Sequence, residues 1–217
     1  MIFLYIIVFI FTIYDSLKQA QQIIMVKDND FWHVIAPPGT GKTTLCGRLT
    51  RNAYMNHKKV YANVPIRGAI KFKIKDLGKI DIHDSIILID EAGRDLNNRN
   101  WANNLTPEAI SFIKLHRHYN NDIYTFSQSP GDIDNKFRDL VTRKYLLYKS
   151  KIPFYVFAQS LKKVMKLEGG QIAEYLEEEK EESFRFFIVN CWAWFNSFDR
   201  KMKLEEKEEK IYTILDM

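Results

Sequence analysis

Ala36-Pro37-Pro38-Gly39-Thr40-Gly41-Lys42-Thr43 packs two glycines, a lysine and two hydroxyls into one short stretch. Glycines let the backbone turn so that successive N–H groups face one anion, and a helix beginning there adds partial positive charge. That chemistry suits the phosphates of a nucleoside triphosphate. Lys42 would reach the β- and γ-phosphates, and the Thr43 hydroxyl would hold Mg²⁺. Pro38, Gly39, Thr40, Gly41, Lys42, Thr43 and Thr44 form the expected phosphate-binding set. Ala36 stands where such loops usually begin with glycine, a departure they tolerate. The expected cofactors are ATP and Mg²⁺.

A second constellation completes the first. The apolar run 85–89 ends in Asp90-Glu91. Asp90 is placed to join Thr43 in the Mg²⁺ shell, and Glu91 to orient and deprotonate an attacking water. Alone, an Asp-Glu pair reads equally as a solvated strand end; the phosphate loop gives it meaning. Glutamate directly after that aspartate points to a hydrolysing, additional-strand P-loop ATPase rather than a kinase or a GTPase switch. Gln128, closing the run 122–127, is a candidate sensor of the γ-phosphate, a role that strand-end polar residues share with plain solvation. Arg94, Arg99, Arg117, Arg138 and Arg143 could each stabilise transition-state charge from a neighbouring subunit, with a surface salt bridge as the ordinary alternative. Arg117 stands out through its His116-Arg117-His118 setting. Neither histidine has acidic or cysteine partners at ligand spacing, which argues against zinc.

The elements that must hold these residues alternate. Residues 31–35, 59–64, 85–90, 122–127 and 141–148 read as strands, and residues 43–57 as a helix. Thr106-Pro107-Glu108 starts another helix, with a hydroxyl cap, proline at the first position and an acid in the first turn, running to about residue 118. Alternation of this kind predicts an α/β fold with a mostly parallel sheet. Past residue 148 the texture changes: residues 154–159 and 183–190 read as strands, the acidic run 177–182 as a solvated helix face, and 201–210 as an exposed helix. The expected organisation is an anchor and linker over 1–27, a P-loop ATPase domain over 28–150, and a small β-rich extension with a charged helix over 151–217.

The first charge is Asp15; before it, residues 1–14 are apolar but for Thr12 and the tyrosine hydroxyls. Such a helix has no solvent face. Fourteen residues rise about 21 Å, short of a hydrocarbon core of roughly 30 Å, a gap that local thinning can close. Lys18 and Lys27 follow the run and no basic residue precedes it, so the following chain is expected in the cytoplasm. The alternative is a buried strand. Composition sets the remaining limits. With 217 residues, 46% hydrophobic and 9 glycines, the chain is neither disordered nor collagenous. Cys46 and Cys191 lie too far apart in sequence for metal or thiol-redox spacing. A net charge of +5 neither demands nor excludes nucleic acid. Lys71, Lys73, Lys75 and Lys79, and Arg143, Lys144, Lys149 and Lys151, form two basic stretches that could touch DNA phosphates or anionic headgroups, or simply be solvated.

Asp90-Glu91-Ala92-Gly93, Trp101, the run from His116-Arg117-His118 through Gln128, and the segment 132–138 resemble the zonular occludens toxin (Zot) family, which includes the morphogenesis ATPases of filamentous phages. The resemblance covers residues 31–148 and extends weakly to the aromatic segment 192–198. It implies a single-pass protein of the host inner membrane with a cytoplasmic ATPase domain. It also implies extrusion of a single-stranded DNA filament as coat protein replaces the DNA-binding protein. Expected partners are further copies of the chain, the coat protein with its single-stranded DNA complex, and an outer-membrane or envelope export protein. Many relatives carry their span after the ATPase domain; here the candidate precedes it. No residue speaks to toxin-like activity. Two other readings stay open: a DNA translocase or packaging ATPase of the FtsK/HerA type, and a nucleotide-gated scaffold that does not hydrolyse.

Overall fold

The computed structural model describes residues 6–7, 9–10, 14, 29–92, 106–133, 135–151, 154–168 and 171–188. The expected C-terminal helix lies outside them, as do Arg94, Arg99 and Trp101.

Apolar residues that alternate sides can serve two cores at once, and the central strands do so. Strands β1 (Phe31–Ile35), β2 (Lys59–Ala62), β3 (Ile70–Lys71), β4 (Ser85–Ile89), β5 (Asp122–Ser127), β6 (Arg143–Lys149), β7 (Tyr155–Glu168) and β8 (Gln171–Phe187) form one sheet among the described residues. Their order is β3-β2-β4-β5-β1-β6-β7-β8. The first six pair in parallel; β7 and β8 join antiparallel. In β4, Ile86 and Leu88 face one core while Ile87 and Ile89 face the other. Helix α1 (Lys42–Met55) covers the first face with Leu45, Cys46, Leu49 and Ala53. Helix α2 (Pro107–Lys114) covers the second with Ala109, Phe112 and Ile113. The expected cap of α2 is present: the Thr106 hydroxyl accepts from the Ala109 N–H, with Pro107 at the start. The helix stops at Lys114, and a 3₁₀ turn over His116–Tyr119 leads into β5. This is an α/β P-loop NTPase-like fold with a mostly parallel central sheet, as the alternation of elements implied.

Past residue 150, β7 bonds directly to β6 along Lys144–Lys149 and prolongs the same sheet. The acidic run 177–182 lies within β8 rather than on a helix face. Its partner strand explains why. Glu177 stands opposite Lys162, and Lys166 Nζ lies 2.5 Å from Glu177 Oε1, so opposite charges pair across the hairpin. A break in register near Ala158 and Ser160 is tied by the Ser183 hydroxyl, which accepts from Gln159 Nε2 at 2.8 Å and from the Ser160 N–H at 2.9 Å. Of the segment 1–27, residues 6, 7, 9, 10 and 14 are described; they are helical and exposed. Among the described residues no helix is long and apolar enough to cross a membrane.

Candidate active site

Strand order builds the site. With β4, β5 and β1 adjacent and parallel, their C-terminal ends share one edge of the sheet, where ligands of open α/β folds bind. The loop leaving β1 runs into α1 through Gly39 (φ 73°) and Gly41 (φ 97°), both in the left-handed region that glycine tolerates. The Ala36 N–H donates to Ser127 O at 2.9 Å, anchoring the loop to the end of β5. Thr40 binds Pro37 O through its N–H (3.2 Å) and its hydroxyl (2.6 Å), closing the turn. Helix α1 begins without a side-chain cap and without an acid in its first turn. Among the described residues no side-chain cap occupies its first N–H groups, which leaves its start suited to an anion.

Lys42 and Asp90 come together: Nζ lies 3.2 Å from Oδ1, and Asp90 is 1% exposed. The Glu91 N–H donates to the same Asp90 Oδ1 at 2.8 Å. Glu91 itself has φ 52°, uncommon for a residue with a side chain and often stored at functional turns. Thr43 and Asp90 supply hard oxygen donors of the kind Mg²⁺ takes, and triphosphate oxygens would complete the set. Gln128 follows β5 and borders the loop's cavity, with its N–H held by Asp132 Oδ2 at 3.0 Å. The structure therefore gathers Pro38 to Thr44, Asp90, Glu91 and Gln128 at one edge of the sheet; Pro38 to Thr44 and Gln128 line a cavity of about 550 Å³ there.

Arg117 is placed elsewhere. It sits in the turn before β5, at the opposite edge of the sheet, with Nη2 3.2 Å from Asp30 Oδ1. Five residues of β1 separate the two edges, about 16 Å at roughly 3.3 Å per residue. It does not reach the loop of its own chain. Arg143 also binds Asp30 (2.6 Å) and bridges to Glu182 (3.0 Å); Arg138 donates to Ile133 O. His116 is buried with Nδ1 2.7 Å from Ile113 O, and burial pulls its pKa down.

Two supporting residues were not singled out in the sequence. Asn63, just past β2, receives the Asp90 N–H on Oδ1 at 2.8 Å and returns a bond from Nδ2 to Asp90 O at 2.9 Å. Its signal was a polar residue ending an apolar strand, the same signal that drew attention to Gln128. On β1, beside β5, His33 is 1% exposed, with Nε2 2.8 Å from the Ser127 hydroxyl. That hydroxyl donates to Ser129 O at 2.8 Å, so His33 is the donor to it. Burial first, then Lys144 and Arg138, lower the His33 pKa to about 4 and keep the ring neutral.

Residues 68–162 match the family model described as zonular occludens toxin (Zot). The fold is similar to the crystal structure of the N-terminal domain of zonular occludens toxin from Neisseria meningitidis, at 17% identity and TM-score 0.50, covering 77% of this chain and 98% of that one. It is also similar to the DNA-packaging ATPase of Sulfolobus Turreted Icosahedral Virus, at 11% identity and TM-score 0.43, covering 69% and 98%. At these identities the likenesses speak to fold alone, and the second is too low to argue from. No curated protein matches the sequence. Residues 68–162 are thus similar to the zonular occludens toxin family, and the chain shares the fold of that family's solved N-terminal domain.

Proposed function

We propose that this protein is a membrane-anchored, Mg²⁺-dependent ATPase that powers assembly and extrusion of a filamentous, single-stranded DNA phage through the host inner membrane. One observation carries the catalytic part: Lys42 and the buried Asp90, from elements 48 residues apart, meet at 3.2 Å beside the uncapped start of α1. Phosphates entering the loop would draw Lys42 to themselves, freeing Asp90 for the metal. Bound Mg²⁺ would offset the charge of the phosphoryl oxygens during transfer. Glu91, turned by its left-handed backbone and fixed by its N–H to Asp90, would take the proton of the attacking water. Gln128 would line the γ-phosphate end. Arg117, exposed at the far edge, would act on a neighbouring subunit's nucleotide in a homo-oligomer.

The exposure of Ile6, Phe9 and Ile10 on a helical segment supports the anchor, since an apolar helix without a covering core suits a bilayer. The coat protein with its DNA complex, and an envelope export protein, are the partners this role requires. The test uses Glu91→Gln. It keeps ATP affinity while turnover falls about 10²-fold or more, as loss of a general base implies. Co-expressed with wild type, it blocks particle export. Normal export supported by Glu91→Gln alone would contradict a motor and favour a scaffold that needs only bound nucleotide.

A further inference from the structure

A phosphate loop accounts for one end of its cavity; the other end has its own construction. The wall facing the loop comes from the β6–β7 connection and the end of β8, through Lys149, Ser150, Phe154, Tyr155, Val156 and Ile188. This wall is in direct contact with the loop: a Cβ built on Gly41 would come 2.8 Å from Val156 Cγ2. At about 550 Å³, the shared cavity falls within the range of roughly 300–1,000 Å³ usual for small-molecule sites.

Sheet order fixes which way a nucleotide must lie. β1, which carries the loop, has β5 and then β4 on one side and β6 and then β7 on the other. Gln128, Asp90 and Glu91 occupy the β5–β4 side, so the reacting γ-phosphate belongs there. The body of the nucleotide then leaves toward β6 and β7. Phe154 stands on that side, half exposed, with the buried Phe187 behind it at 6.3 Å and 75°. Its backbone has φ 63°, a conformation that is strained for a bulky residue and persists only where its surroundings hold it. Those surroundings are specific. The Ile188 N–H donates to Phe154 O at 2.9 Å, and the Ser150 N–H to Tyr155 O at 3.0 Å, so the backbone at Phe154 and Tyr155 is held from the ends of both β8 and β6.

We infer that this wall is the nucleobase subsite of the loop, and that the Phe154 ring stacks on the base of the bound nucleotide. The inference rests on the phosphate-loop reading and adds to it the part of the ligand that the loop cannot recognise. Phe154 is a binding residue here, remote from the transferred phosphoryl group.

The experiment compares ATP with inorganic tripolyphosphate, which presents the phosphates without a base. Binding of both, with Mg²⁺, is measured by calorimetry on wild type, Phe154→Ala, Phe154→Tyr and Lys42→Ala. Phe154→Ala is expected to weaken ATP about 5- to 150-fold, the range for loss of one base–aromatic stack, and to leave tripolyphosphate unchanged. Phe154→Tyr is expected to restore ATP affinity. Equal losses for both ligands, or no loss for either, would overturn the inference, because Phe154 would then act on the fold or on nothing. A wild-type protein that binds tripolyphosphate as tightly as ATP would also overturn it, while leaving the loop intact. A wild-type protein that binds neither, or a Lys42→Ala variant that binds both normally, would remove the phosphate-loop reading itself.

Discussion

Removing the Asn63 side chain tests how the proposed metal carboxylate, Asp90, is held. Asn63 bonds both backbone groups of Asp90, at 2.8 and 2.9 Å, in a partly buried position. In Asn63→Ala the Asp90 N–H and C=O lose those partners. An unmet buried polar group costs about 1–3 kcal/mol, and partial exposure puts each group at the low end, so the pair gives roughly 2–4 kcal/mol. At about 2–4 °C per kcal/mol for a domain of this size, the melting temperature should fall by roughly 5–15 °C. Function should suffer as well. Asp90 and Glu91 share a hydrogen bond at 2.8 Å, so a shifted Asp90 backbone carries the proposed metal ligand and the proposed base with it. A misplacement on the order of 1 Å can cost about 10²-fold in rate, so kcat should fall steeply while KM for ATP stays near wild type, the loop being untouched. Asn63→Asp keeps the acceptor for the Asp90 N–H but loses the donor to Asp90 O and adds a like charge. It should be no milder than alanine. Thermal unfolding and steady-state hydrolysis read both effects; an Asn63→Ala protein with wild-type Tm and kcat would refute the clamp.

Gly41→Ala places a Cβ against Val156 at φ 97°, so it should lose roughly 1–3 kcal/mol of stability and much of its nucleotide affinity, by denaturant titration and calorimetry. Adding Val156→Ala should recover the steric part and leave the backbone strain, a coupling that a double-mutant cycle measures. His33 carries a folded pKa of about 4 against an ordinary value of 6.5. Between those values the unfolded chain binds more protons. The stability His33 contributes is therefore present above about pH 6.5 and lost as pH falls toward 4, roughly 3 kcal/mol in all. In His33→Gln the acid-side slope of Tm against pH should flatten; an unchanged slope would show that other groups cause it.

The residues gathered at the loop's edge of the sheet were legible because their signals are local. Gly39, Gly41, Lys42 and Thr43 lie within one turn of chain, and Asp90-Glu91 announce themselves at the end of a run apolar on both faces. Asn63 was not legible in the same way. Its role exists only because β2 pairs with β4, bringing it across 27 residues to Asp90, and no spacing along the chain encodes that pairing. Val156 and Phe154 gain their places similarly, from an antiparallel hairpin folded back on the loop. The acidic run misled for a physical reason: consecutive glutamates lack the alternation by which a half-buried strand is recognised. Only the lysines on β7 make a strand of them. Arg117 precedes β5 and Gln128 follows it, so the two lie at opposite edges of the sheet, a separation that nearness in sequence does not show.

The central claim is that ATP is bound and hydrolysed at the loop carrying Lys42. Its most direct test is Mg²⁺-dependent ATP binding and turnover by the purified protein, wild type beside Lys42→Ala. Wild type is expected to bind and hydrolyse ATP, and Lys42→Ala, which leaves Asp90 and the sheet in place, to do neither. Wild-type-like hydrolysis by Lys42→Ala would contradict it.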